Sequence, residues 1–309
     1  MHKKNVAIGL CTYRRPRQLV RCLQSLAEMA VPDAFSLCVI IVDNDPEGTA
    51  QETVNTFKEV ASFPVYYRVE PRKGIPCARN SVLKQAAMLG ITDLAFVDDD
   101  EYVEPTWLEI LWSRYAGSDA DVMAGYVTTV YPPETPRWIT KGRFFQNPRR
   151  QSDTQLLSAA TGNVIFDFQK LALQWGLSFD EGFALTGGSD ADFFYRAAYK
   201  GAVIKWTGDA VVYEELAQER MRIGYLLKNR FRKSNLKLGY KKLSLLRKIK
   251  LFFGLLKRII VDVFLLPFSL LRGLSDFFIV LNRTVGTVAN ILALMGCRIK
   301  WNEYKDPSA

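Results

Sequence analysis

Short apolar runs, each closed by polar residues and followed by a segment with helical spacing, constrain the fold of this chain more than any other feature. The run "NVAIGLC" (5–11) ends at Thr12, Tyr13 and Arg14, after which Leu19, Cys22, Leu23 and Leu26 recur at helical spacing. The run "SLCVIIVD" ends at Asp43, Asn44 and Asp45, ahead of a helical segment through Val54 and Phe57. "VYYRV" (65–69) and "LAFV" (94–97) read as further strands, with a helix over 80–88 between them. Strands alternating with helices predict βαβ units, and so an α/β protein with a mostly parallel sheet. Ligands of such sheets bind outside the carboxyl ends of the strands. That is where the polar residues gather.

"LAFVDDDEYVEPTW" sharpens the point: a buried strand runs straight into Asp98, Asp99, Asp100 and Glu101. Four adjacent carboxylates repel unless water or a cation offsets them, and hard cations such as Mg²⁺ take oxygen ligands. A solvated turn explains one such cluster in isolation. It does not explain polar clusters at three strand ends. A further loop, "FDEGFALTGGSDADFFYRA", carries Asp180, Glu181, Asp190 and Asp192 into the start of a helix near Asp190. Acidic residues suit a helix N-terminus, and the two glycines permit a tight approach.

The 309 residues suffice for one large core, or one core with a smaller appendage. The only histidine is His2. Ser-His-Asp triads, Cys-His pairs and histidine zinc sites are therefore excluded, leaving acid–base work to carboxylates, lysine, tyrosine or cysteine. Five scattered cysteines without a C-x-x-C pair fit buried thiols in a reducing compartment. The first apolar run is too short for a signal peptide, so the catalytic part is expected in the cytoplasm.

The net charge of +9 is concentrated late in the chain. No acid occurs from Arg220 to Val261, and twelve Lys and Arg lie between Lys228 and Arg258. Arg247, Lys250, Lys257, Arg258 and Asp262 share one helical face. Ile249, Phe252, Phe253, Leu256, Ile259, Ile260 and Val263 share the other. A basic amphipathic helix of this kind reads as a membrane-surface or partner-binding element. The apolar runs that follow reach at most 14 uncharged residues, short of the roughly 20 needed to span. Interfacial segments on anionic lipid are expected instead.

Taken in order, "CTYRRP", "IIVDND", "GIPCARN", "FVDDDE", "TGNVIF" and "GGSDADFFYRA" resemble the motifs of the family 2 glycosyltransferases of GT-A fold. The resemblance covers about residues 5–235 and is nearest to succinoglycan-type exopolysaccharide glucosyltransferases. It implies a GT-A catalytic domain over 1–235, a Rossmann-like mixed sheet with flanking helices. A helical membrane-associated region would occupy 236–309. Asp98 and Asp100 match the DXD motif, which binds Mn²⁺ or Mg²⁺ on the diphosphate of a sugar nucleotide. Thr12, Tyr13, Asp43 and Asn44 match the nucleoside pocket, with Asp43 or Asn44 pairing the uracil edge. Arg79 and Asp99 join the donor-binding set. Asp190 matches the general base of an inverting transfer.

The pattern has departures: Asn44 and Ser189 replace the usual acids, and Tyr213 stands where many relatives carry a histidine near the metal. Glu214 is a possible substitute ligand. Trp138 and Asn163 fall where relatives place the acceptor, and Arg220 and Arg222 where a loop closes over the diphosphate. The implied partners are a UDP-sugar and a lipid-linked or oligosaccharide acceptor at the cytoplasmic face of the inner membrane, without nucleic acid. Two other readings use the same residues. A nucleotidyl- or phosphotransferase would share the carboxylates and metal, although no Walker-type Gly-Lys-Ser/Thr loop is present. A non-enzymatic basic membrane binder would leave the acid clusters unexplained.

Overall fold

The computed structural model describes residues 3–239 and 244–297. His2, Lys241, Lys242 and the end of the expected membrane region, 298–309, lie outside the described residues. In chain order the elements are β1 (Lys4–Thr12), α1 (Pro16–Ala27), β2 (Phe35–Asp43), α2 (Gln51–Val60), β3 (Val65–Val69) and α3 (Ile75–Met88). There follow β4 (Asp93–Val97), β5 (Glu101–Val103), α4 (Trp107–Ala116), β6 (Val122–Val130), α5 (Arg137–Gly142) and β7 (Thr154–Leu156). The chain continues through β8 (Asn163–Asp167), α6 (Ser189–Tyr199), β9 (Ile204–Glu215), α7 (Ile223–Gly239), α8 (Leu245–Arg272) and α9 (Leu274–Leu294).

The chain divides into two compact units. The first comprises residues up to Thr128 with Asn147–Glu214, and the second comprises Thr129–Gln146 with the chain from Glu215. The expected boundary at 235/236 marks a change of composition, but it falls inside α7.

The sheet runs β3-β2-β1-β4-β8-β6-β9-β5, with β7 on β9. β3, β2, β1 and β4 are mutually parallel, and β8 is antiparallel to both β4 and β6. The alternation of strand side chains divides the first unit's core between two faces. Val6, Ile8 and Leu10 pack with Leu19, Leu23, Val54, Phe57 and Trp107 on one face. Ala7, Ile40 and Val42 pack with Val82, Phe193 and Phe194 on the other. Gly9 lets α3 lie close to the sheet, since a Cβ there would stand 2.7 Å from Val82 Cγ1. α3 begins at Ile75, five residues before the helix read from sequence, because Pro76 sits in its first turn where no backbone N–H is required.

Candidate active site

At the carboxyl ends of the parallel strands the polar residues tie neighbouring loops sideways. Thr12 Oγ1 donates to Asp99 Oδ2 at 2.8 Å, joining the ends of β1 and β4. Arg14 grips Asp45 with both Nε and Nη2, at 2.9 and 3.2 Å. That grip holds Arg14 in the left-handed backbone region (φ 51°), which is uncommon for a residue with a Cβ. The guanidinium beside Asp45 holds its carboxyl below the usual carboxylate range. Between these loops lies a recess of about 220 Å³ lined by Thr12, Arg14, Arg15, Pro16, Leu19 and Thr49 among others. Tyr13 is half-buried, with its ring 5.5 Å from the Arg14 guanidinium carbon.

Two residues expected to face the nucleoside are turned inward. Asp43 is fully buried and accepts from Asp45 N, Ala50 N and Tyr67 Oη at 3.0, 2.8 and 3.0 Å. The Asn44 amide donates to Glu70 O and Arg72 O at 2.8 and 2.7 Å and accepts from Gly74 N at 2.9 Å. Their hydrogen-bonding capacity shapes the β2–α2 and β3–α3 loops. The expected contact with a uracil edge would come in addition to this fastening role.

The acid cluster is divided in function. Glu101, buried, accepts the Asp98 backbone N–H at 2.8 Å and so shapes the turn itself. Its Oε1 lies against Gly162, where a Cβ would stand 2.4 Å away, which accounts for the glycine of "TGNVIF". Asp99 is buried between Thr12 and Arg15, whose Nη1 donates to Asp99 Oδ1 and to Asp100 Oδ2, both at 3.0 Å. Asp98 remains 44% accessible, with Arg79 Nη2 3.8 Å away. Arg79, nearly buried, donates from Nη1 to Ser189 Oγ at 3.1 Å and lies over the Phe179 ring. It thus joins the acid cluster to the start of α6. Arg15 did not stand out in the sequence, and Glu101 stood out only as the fourth acid of its run, because neither residue type carries a sign of its partner.

Partial burial of the Asp98 side chain, reinforced by Asp100, Asp99 and Asp190 and partly offset by Arg79, pushes its carboxyl up. Desolvation pushes Asp99 up to about 6, against the lowering effect of Arg15. An unfolded aspartate titrates near 4 (about 3.9). The folded protein therefore binds more protons than the unfolded chain between these values, and stability falls as pH rises through that window. The ligand-free protein is expected to melt at a higher temperature near pH 5 than near pH 8. Asp99→Asn, at the buried member of the cluster, should remove much of the difference in a calorimetric series. A flat profile in the parent protein would contradict this account of the cluster.

α6 starts after Gly187 and Gly188, both at positive φ (67° and 95°) where glycine is favoured. Three of the four nearby carboxylates are committed. Asp180 Oδ1 accepts from Gly182 N at 2.8 Å. Glu181 receives Arg72 and Asn80. Asp192 receives Arg196 Nε at 2.7 Å, one turn along the helix. Asp190 alone has no hydrogen bond or ion pair among the described residues. Its charge is felt at Asp98.

The oxygen chemistry at the end of β4 would suit a divalent cation shared with a substrate. Among the described residues no group of three or more His, Cys, Asp or Glu side chains is arranged to hold a metal. A hard cation bound with substrate phosphates and water needs only one or two carboxylates, and Asp98 and Asp100 offer two. Tyr213 donates to Glu104 and stacks on Tyr102, whereas Glu214 lies opposite Glu101 in the strand register and its charge reaches Glu101.

Other sequence candidates have structural roles. Asn163, buried, donates to Tyr126 O and Ala210 O and accepts from Trp107 Nε1, so its amide is a core strut. The expected acceptor contact is corrected accordingly. Trp138 packs on Phe144 and Phe278, with ring centroids 5.7 and 4.6 Å apart. Arg220 and Arg222 belong to the second unit.

A mixed α/β sheet with flanking helices is the GT-A arrangement of glycosyltransferases. The sequence pattern described as "Glycosyl transferase family 2" matches residues 7–172, and this chain belongs to that family. It is 33% identical over 228 residues to the "Succinoglycan biosynthesis protein ExoM" of Rhizobium meliloti (strain 1021), covering 74% of this chain and 72% of that protein. Among solved structures it is similar to S. aureus TarS 1–349 in complex with UDP-GlcNAc, with TM-score 0.53 and 16% identity over 95% of this chain and 91% of that one. The match to another S. aureus TarS chain covers only 43% of that chain. The mannosyltransferase PcManGT from Pyrobaculum calidifontis, solved with GDP-Man and Mn²⁺, has TM-score 0.56 and 15% identity, over 94% of this chain and 73% of its own. These likenesses establish the fold.

Proposed function

We propose that this chain transfers a sugar, glucose or a related hexose, from a UDP-sugar to a lipid-linked or growing saccharide acceptor, with inversion at the anomeric carbon. The work belongs to cell-surface polysaccharide synthesis at the cytoplasmic face of the inner membrane. The observation that carries this reading is Asp190, the one uncommitted carboxylate of the four at the start of α6, standing where its charge reaches the Asp98 cluster. Asp190 takes the proton of the acceptor hydroxyl as that oxygen attacks the anomeric carbon. The anomeric carbon–oxygen bond breaks on the opposite face and UDP departs. One base and one displacement give inversion.

Asp98 and Asp100 would hold Mn²⁺ or Mg²⁺, which when bound offsets charge on the departing diphosphate. Arg79 adds a fixed positive charge beside Asp98. Thr12 and Tyr13 form the edge of the nucleoside pocket, with Thr12 set by Asp99. The kinship with a succinoglycan biosynthesis protein supports a polysaccharide acceptor. The UDP-bound TarS structure and the Mn²⁺-bound PcManGT structure support the choice of donor and cation.

The direct test is a donor screen with membranes carrying the protein, using UDP-glucose, UDP-galactose, UDP-N-acetylglucosamine and GDP-mannose. Release of UDP with a new glycoside of inverted configuration is expected. Pyrophosphate as the co-product would assign a nucleotidyl transfer instead, and a product of retained configuration would remove Asp190 from its role.

A further inference from the structure

The helices of the second unit are built inside out. α7 and α8 both pack on α9. α8 buries only Leu255, Asp262 and Ser269, seven residues apart, a single narrow stripe. α9 buries Ser275, Val280, Gly286, Thr287 and Ala289, mostly small or polar. The contact between them includes the ion pair of Asp262 with Arg283. These residues lie at similar distances from Gly273, the residue that joins the two helices, so the pair runs antiparallel. Large apolar side chains meanwhile face outward along α8: Ile260 is 65% exposed, Phe264 67%, Phe268 51% and Leu271 85%.

Water favours the reverse arrangement, and a contiguous apolar surface of this size marks an interaction site. Small and polar residues at helix contacts with large apolar ones outside is the pattern suited to lipid. The charges agree. Asp262 is the only acid in α8, and it is 1% exposed, not on the exposed basic face read from sequence. Arg247, Lys250, Lys257 and Arg258 are exposed beside the apolar row. A cationic flank without an exposed carboxylate complements anionic headgroups.

α9 is the one helix among the described residues long and apolar enough to cross a membrane by length and composition. Most of its apolar window is not buried, but two contacts tie it to α7. Asn235 of α7, 1% exposed, donates to Ala289 O and Cys297 O at 3.1 and 3.0 Å. Arg230 of α7 lies against Gly286, where a Cβ would stand 2.5 Å from Nε. α9 thus carries α8 on one side and polar groups of a basic helix on another.

We propose that the outer face of α8 lies lengthwise in the acyl-chain boundary of a bilayer bearing anionic lipid, with its basic flank at the headgroups. α9 is the supporting layer and does not span. The proposal rests on the lipid-linked acceptor reading above and names the surface that holds the chain at that lipid.

The test is flotation of the full-length protein with vesicles of phosphatidylglycerol and phosphatidylcholine, against phosphatidylcholine alone, with UDP affinity measured on every variant. The parent protein is expected to float with the anionic vesicles. Phe264→Ser with Phe268→Ser should lower that partition by about tenfold or more, the worth of losing large apolar contacts. Lys257→Gln with Arg258→Gln should reduce the preference for anionic vesicles. All are exposed positions, so UDP binding should persist. Unchanged partition of the serine pair with UDP binding intact would overturn the proposal and leave the donor reading standing. A parent protein that ignores vesicles but self-associates through this face, and is made monomeric by the serine pair, would overturn it in favour of a second copy. Vesicle binding without UDP binding would sink the donor reading alone.

Discussion

Asp190→Asn is expected to lower kcat by about 10²–10⁴-fold, the usual worth of a positioned general base. The amide keeps the shape of the side chain and removes its ability to take a proton. UDP affinity should change little, because the base serves the acceptor hydroxyl and meets the donor-binding set only through its charge at Asp98. The structure narrows the alternatives. Asp192 is paired with Arg196, and Glu181 is held by Arg72 and Asn80, so neither is free to substitute. Single-turnover kinetics with isothermal calorimetry for UDP separates the two effects. Near-normal turnover in the variant would remove Asp190 from the mechanism.

Asp100→Ala is expected to abolish metal-dependent UDP binding, a loss of more than about 100-fold, since even residues that merely support metal ligands are worth 10–100-fold. Asp99→Asn should be tolerated far better. Its remaining carbonyl oxygen still accepts from Thr12, and what it loses is the charge opposite Arg15, which keeps Asp100 as a partner. Calorimetry of UDP with and without Mn²⁺ on both variants gives the comparison. Equal tolerance at the two positions would return this stretch to a solvated turn.

The strands were legible for one reason: β1, β2 and β4 lie on continuous apolar runs bounded by polar residues. Burial of both sheet faces writes that pattern directly into the sequence. The three-residue strands β5 and β7 have too few residues for any period to emerge. Side-chain partners were not legible. Asn163 and Asp43 are polar residues at strand ends, as a ligand contact would be, and only tertiary neighbours reveal that their hydrogen bonds are spent. Asp262 reads in the sequence as one member of a basic helical face, with no sign of its partner Arg283. Twenty-one residues apart, they cancel one another across a helix pair.

Asn44 has a consequence for how this sequence tolerates replacement by its relatives' residues. Replacing an unusual residue by the commoner one of its family often stabilises a protein. Position 44 is a poor candidate for that exchange. The side-chain nitrogen of Asn44 points at two carbonyl oxygens, Glu70 O and Arg72 O, and a carboxylate oxygen in its place would face both without a proton to offer. The neutral amide and the path of the 70–74 loop are therefore compatible only together. A designer who restores the acid must also redraw the loop.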